Sequence, residues 1–177
     1  MRVDAYLAVG SNVEPEANIP RALELLGRRV RLVATSTFYR TAPLERPRQP
    51  PFANGAWHIR TELGARELKF RLLRRVEARL GRVRTGDRFA PRPIDLDLAL
   101  YGEAVIEEPD LRVPDPHIRR RAFLAVPLLE LAPDIVLPDT GERLAELPAA
   151  ASRDDLVPHE ELTATLRRRL AAMGHSS

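Results

Sequence analysis

A chain of 177 residues matches the usual size of one domain and is long enough to bury roughly 70% of the surface its unfolded form exposes. With 44% apolar and 30% charged residues the composition is globular. No stretch approaches the roughly 18 apolar residues of a membrane span, and the N-terminus enters a strand pattern with no signal region. A soluble cytoplasmic protein without a membrane partner is expected. Cysteine is absent, which excludes disulfides and thiolate metal sites. The histidines at 58, 117, 159 and 175 show no paired ligand spacing, so a histidine metal site is not expected, while carboxylate ligation of a metal stays open. The net charge of +3 hides a bias, because Lys69 is the single lysine among 28 basic residues. The rest are arginine, whose planar fork binds phosphate bidentately.

Residues 3–9 read as a first strand stopped by the turn cluster Gly10-Ser11-Asn12. Ile19, Ala22, Leu23 and Leu26 then recur at helical spacing before Gly27. Residues 30–40, rich in β-branched and aromatic types, read as one second strand. The eleven residues Thr41 to Pro51 hold four prolines and read as a loop, near the length at which structureless loops are usually functional. Phe52 to Leu63 reads as a third strand. Gly64 to Leu80 reads as a helix with Leu68, Leu72, Val76 and Leu80 in one stripe and Gly81 ending it. An arginine-rich loop over 82–93 leads into the strand Ile94 to Tyr101.

That order is β-α-β-β-α-β, so the expected fold is an α+β, ferredoxin-like sandwich with helices on one face of an antiparallel sheet. A short strand is expected near Val105-Ile106 and a helix over Arg121 to Leu131. Pro148 to Pro158 reads as a linker before an amphipathic helix from Glu160 to Met173. The expected organisation is one domain over 1–148, with 149–177 as linker and helix packed on it or extending it. A monomer is expected; self-association through that helix is the alternative.

The chemistry concentrates in residues 82–97. Side chains alternate along Ile94-Asp95-Leu96-Asp97-Leu98. Ile94, Leu96, Leu98 and Leu100 should therefore face the core, with Asp95 and Asp97 together on the opposite face. Two like charges side by side in a strand are unfavourable unless a cation lies between them. Mg²⁺ commonly uses one or two carboxylates plus substrate phosphates; the bland alternative is a pair of aspartates matched by arginines. Just upstream, Arg82, Arg84, Arg88 and Arg92 fall within eleven residues. Arginines and a di-acid on one short connection suit a metal–polyphosphate complex. On the metal reading, alanine at Asp95 or Asp97 should abolish turnover and, by relieving repulsion, leave the melting temperature unchanged or raised. No Walker A or dinucleotide fingerprint is present.

The run Arg82-x5-Arg88-Phe89-Ala90-Pro91-Arg92-Pro93-Ile94-Asp95-Leu96-Asp97 resembles the signature of the 6-hydroxymethyl-7,8-dihydropterin pyrophosphokinase family. So do Tyr6 to Asn12, Phe38 to Pro43 followed by Phe52-Ala-Asn54, and Val113-Pro114 through Phe123 and Leu128. Together these cover about residues 3–140 in order. The resemblance implies transfer of pyrophosphate from ATP to the hydroxymethylpterin, leaving AMP. It implies two Mg²⁺ ions on Asp95 and Asp97, with Arg82 and Arg92 on the phosphates. Arg84, Arg88, Arg121 and Glu77 would lie at the nucleotide; for Glu77 an ordinary ion pair with a neighbouring arginine is the alternative. The pterin would stack between Phe52 and Phe123, read by Asn54 and the backbone of Thr41, Ala42, Pro43 and Leu44. Phe52 and Phe123 also read as core aromatics. The chain departs from the family pattern in three places. Asp115 follows Val-Pro where histidine is frequent, with His117 two positions on. Glu45-Arg46 stand where glycine is frequent, and Phe89 replaces the commoner tryptophan.

Two other classes are consistent with parts of the pattern. An RNA-binding ferredoxin-like module would use the arginines, but aromatics are only 5% and an acidic pair occupies the strand that phosphate would have to approach. A metal-dependent nucleotidyl hydrolase would use Asp95 and Asp97 with water as acceptor. The pterin reading predicts ATP and the pterin as small-molecule partners, with no nucleic acid.

Overall fold

The computed structural model describes residues 1–42, 48–87 and 90–174. Pro43 and Leu44, from the pterin-reading loop, and Arg88, from the arginine loop, lie outside the described residues. The main sheet is built on β1 (Val3–Ser11), which pairs antiparallel with β4 (Phe52–Thr61) on one side and β5 (Asp95–Tyr101) on the other. β2 (Arg31–Thr35) and β3 (Tyr39–Thr41) both pair with the far edge of β4. Taking β2 and β3 as one interrupted strand, the order is fourth, first, third, second, as the ferredoxin-like pattern requires.

The second strand is thus two pieces rather than one. At the break, Ser36 donates its N–H to Ala56 O. The next two N–H groups leave the ladder for side chains, Thr37 to Glu130 at 2.7 Å and Phe38 to Thr163 Oγ1 at 2.9 Å. β-propensity cannot reveal such a break, because side chains remote in sequence satisfy the backbone there.

Both faces of the sheet are covered, not one. On the first face α1 (Pro15–Gly27), the long second helix and α6 (Glu160–Gly174) enclose Leu7, Leu23, Leu26, Ile59, Leu73, Leu98 and Leu166. The second helix runs α2 (Ala65–Glu67), a π-helical stretch Leu68–Leu73, then α3 (Arg74–Arg79). On the opposite face α4 (Ala122–Leu131) and α5 (Pro148–Ala151) pack on Ala56, Ala99 and Leu100. Leu100 belongs to this second core, not to the one that takes Leu96 and Leu98. The register of β1 against β5 slips between Tyr6 and Leu7, leaving Ala99 as an extra residue that reverses the alternation.

The segment expected as a linker carries α5 and β8 (Val157–Pro158), and β8 pairs with β3. A hairpin of β6 (Ile106–Glu108) and β7 (Leu111–Val113) follows β5. No described helix is long and apolar enough to cross a membrane.

Candidate active site

Residues directly paired across a sheet share a face. Gly10 pairs with Asp95 on one side and Asn54 on the other, and Asn54 pairs with Tyr39. In the next row Ala8 lies between Asp97 and Ala56. Asp95, Asp97 and Asn54 therefore project from one sheet face, the one that also packs on α4. Asn54 and Asp95 are two strand spacings apart, roughly 10 Å. Gly10 is what keeps the ground between them open: a Cβ there would come within 2.7 Å of Asn54 Oδ1.

The acidic end is closed by cations that reach around the free edge of β5. At the end of α3, Gly81 takes φ +90°. Its N–H bonds Ala78 O at 3.1 Å, and that of Arg82 bonds Glu77 O at 3.0 Å, a glycine-ended helix terminus. The turn folds Arg82 back onto its own helix. Its Nη1 donates to Glu77 and, at 2.7 Å, to Asp95 Oδ1. Glu77, 2% exposed, accepts from Arg84 Nη2 at 2.8 Å and from Leu96 N–H at 3.1 Å. A buried carboxylate is tolerable only with such partners. Burial pushes its carboxyl up, against the pull of Arg82 and the Leu96 N–H. Burial opposes the charge on Arg82, but Asp95 and Glu77 outweigh it and hold the guanidinium above its ordinary value. Glu77 thus makes the ion pair that was its alternative reading, with both carboxylate oxygens occupied by the chain itself, and Arg84 is drawn to it.

Arg92 Nη1 donates to Asp95 Oδ2 at 2.8 Å. Its backbone is locked to Asn12, donating to Asn12 Oδ1 at 2.7 Å and accepting from Asn12 N–H at 3.0 Å. Lys69, in the π-helical stretch, sets Nζ 3.2 Å from Asp97 Oδ1. Neither Asn12 nor Lys69 was singled out as a site residue by its sequence context. For Lys69 the available signal was its being the only lysine; for Asn12 it was its place in the turn after β1.

Asp115 is buried and caps the 3₁₀ turn Pro116–Arg119 by accepting His117 N–H at 2.9 Å. Burial raises its carboxyl, His117 N–H opposes this, and Asp97 adds to the rise. The side chain of His117 is exposed. At the other end, Asn54 Nδ2 donates to Thr41 Oγ1 at 2.7 Å, and Thr41 pairs with Phe52 on the same face. Phe52 is half-buried, and Phe123, half-buried near the start of α4, packs against the core under this face. Arg121, half-buried, immediately precedes α4, and Ala42, exposed, follows β3.

Among the described residues no three carboxylates or imidazoles converge on one point. Asp95 and Asp97, with side chains 36% and 43% exposed, are an all-oxygen pair open to solvent. That set fits a hard divalent cation that completes its shell with phosphate and water; it does not fit a closed structural site.

A doubly covered antiparallel sheet with an arginine-flanked di-acid at one edge has the make-up of a transferase that works on phosphates. More narrowly, the chain belongs to the 7,8-dihydro-6-hydroxymethylpterin-pyrophosphokinase family, whose description residues 6–133 match. It is 44% identical over 148 residues to the 2-amino-4-hydroxy-6-hydroxymethyldihydropteridine pyrophosphokinase of Pseudomonas aeruginosa, covering 82% of this chain and 90% of that one. It is 38% identical to the enzyme of that name from Haemophilus influenzae, covering 78% and 87%. The crystal structure of Plasmodium falciparum HPPK-DHPS with pterin and p-hydroxybenzoate matches at a TM-score of 0.60 over 99% of this chain, with 10% identity. The present chain spans 43% of that chain, and the likeness concerns the fold alone. Family membership removes the grounds for the RNA-binding and hydrolase readings.

Proposed function

We propose that this chain transfers the pyrophosphoryl group of ATP to the hydroxymethyl oxygen of 6-hydroxymethyl-7,8-dihydropterin, giving AMP and the pterin diphosphate for folate biosynthesis. Beyond family membership, the observation that carries the reading is the row Asp95–Gly10–Asn54. On this reading Asp95 would mark the cation-and-phosphate end of one sheet face and Asn54 its pterin end, roughly 10 Å apart. Asp95 and Asp97 would hold two Mg²⁺ ions, which when bound neutralise charge on the transferring phosphates. Arg82 and Arg92, now on Asp95, would turn to phosphate oxygens as charge develops there. Arg84, Arg88 and Arg121 would contact the nucleotide, and Glu77 would position Arg82 and Arg84 rather than touch ATP. The pterin would lie between Phe52 and Phe123, with Asn54 and the backbone of Thr41, Ala42, Pro43 and Leu44 reading its polar edge. The chemistry needs no covalent enzyme intermediate, so the protein's contribution is positioning and charge stabilisation.

We read the chain as one domain, a monomer and cytoplasmic. Supporting the first two is the burial of Leu162 and Leu166 of α6 within the chain's own core, which leaves little apolar stripe for a second copy. The test is product analysis with ATP, Mg²⁺ and the reduced pterin. AMP that accumulates only with pterin present is the expected result; ADP, or AMP formed without pterin, would overturn the reading.

A further inference from the structure

Residues 157–163 lie outside the span that matches the family, yet they are bonded to the strand that carries Thr41. β3 is only three residues long, and its ladder to β4 covers one edge. β8 covers the other, with Tyr39 opposite Pro158 and Arg40 opposite Val157. Just before β3, Phe38 is completely buried, and the start of α6 takes both of its backbone groups. His159 N–H donates to Phe38 O at 2.7 Å, and Phe38 N–H donates to Thr163 Oγ1 at 2.9 Å. The Thr163 hydroxyl also donates to His159 O at 2.9 Å, so it serves as both acceptor and donor.

His159, 3% exposed, extends the clasp. Its Nδ1 accepts Leu162 N–H at 3.3 Å and so caps α6. With Nδ1 an acceptor, Nε2 carries the proton and donates to Glu16 Oε1 at 2.9 Å. Arg40 Nη2 lies 3.3 Å from the same nitrogen, and the His159 bond and then the Arg40 charge help hold the Glu16 carboxyl below its ordinary value. The segment therefore holds β3 to the head of α1 as well as to α6.

We infer that residues 157–163 are a positioning element for the pterin end of the site: through β3 they fix Thr41, whose hydroxyl orients the Asn54 amide. The inference rests on the functional reading above. Removing the clasp would leave the buried N–H and C=O of Phe38 without partners, and β3 would shift rather than leave them so. Its far end, where Thr41 meets Asn54, would move with it. Asp95 and Asp97 lie across β1 and β4 from β3, and the clasp does not touch them.

The test substitution is Thr163→Val, which keeps shape and removes the hydroxyl, with Thr163→Ser as its restoration. The expected result is a pterin KM raised about tenfold, with kcat and ATP KM within twofold of wild type, and recovery in T163S. A folded T163V with unchanged pterin KM overturns the inference. So does an equal loss for both substrates, which would mark a merely structural role. Should T163V not fold, His159→Asn decides. It keeps a cap for α6 and the backbone bond to Phe38 but cannot reach Glu16 and Arg40, and a pterin KM unchanged from wild type would then reject the inference. Absence of pterin-dependent AMP from the wild type is a different failure, that of the functional reading itself.

Discussion

Arg82 and Arg92 hold the same carboxylate, but they are anchored differently, and the difference sets what each substitution should do. Arg82 has a side chain 9% exposed and is shared with buried Glu77, so removing it strands a buried charge and threatens the fold. Arg92 is 28% exposed and fastened through its backbone to Asn12, so its side chain can be cut back while the loop keeps its course. Arg92→Ala is accordingly expected to lower the single-turnover rate by about 10²–10³-fold, the usual cost of losing one preorganised charge on a developing anion. ATP affinity should fall less than tenfold. A single-turnover rate equal to wild type would remove Arg92 from the catalytic set. The two aspartates sit among cations that the sequence expectation of a repelling pair did not include. Their charges already face Arg82, Arg92 and Lys69, so the repulsion between the two is offset within the chain. Asp95→Ala should abolish AMP formation and lower the melting temperature by a few degrees, because it leaves the largely buried Arg82 with Glu77 as its one carboxylate partner. A rise on thermal melting would show that the repulsion persists.

At the scale of elements, what positions Arg82 is the way α3 ends. Gly81 at φ +90° occupies backbone space that costs an L-residue roughly 1 kcal/mol or more. Gly81→Ala should therefore lower the melting temperature by several degrees and also slow turnover, because Arg82 no longer folds back onto Glu77 and Asp95. Gly141→Ala is the control. It has φ +78°, equally open surroundings and a turn far along the chain from the site residues, so it should lose similar stability at unchanged kcat. Equal kcat in the two variants would mean that the turn does not aim Arg82. Gly81 was legible in the sequence as a helix stop, as were the alternation of Asp95 and Asp97, the β-α-β-β-α-β order and the arginine loop, since all follow from local period and turn chemistry. What was not legible depends on contacts remote in sequence. Thr163 and Glu130 break the second strand at Phe38 and Thr37, the slip at Ala99 sends Leu100 to the other core, and β8 forms only because β3 offers an edge. Lys69 reaches Asp97 from a π-helical stretch that helical periodicity does not distinguish from ordinary α-helix.

At the scale of the whole molecule, the near-absence of lysine makes alkaline behaviour unusually simple. Every basic side chain except Lys69 and the histidines is arginine, which keeps its charge past pH 12, and exposed carboxylates are ionised long before. Above pH 9 the folded state is therefore perturbed chiefly by its phenols. Tyr39 is the decisive one: burial and then the bond from its hydroxyl to Glu130 push it up to about 12. Tyr6 is also raised, by burial and then by the charge of Asp4. A phenol held above its unfolded value of roughly 10 binds its proton more tightly folded than unfolded. Stability is then retained below pH 10 and lost as pH rises from 10 towards 12. For Tyr39, 7% exposed, the full loss is of order 2 kcal/mol. Tyr39→Phe loses the bond to Glu130, so at pH 9 it should be less stable than wild type by about 1 kcal/mol. Since it has nothing to titrate, its stability should fall more gently with pH. Urea unfolding at pH 9 and pH 11.5 should show the wild-type advantage lost or reversed at the higher pH. A wild-type advantage that persists undiminished at pH 11.5 would mean that the Tyr39–Glu130 contact does not hold the proton, and that the link it makes between β3 and α4 is carried by packing alone.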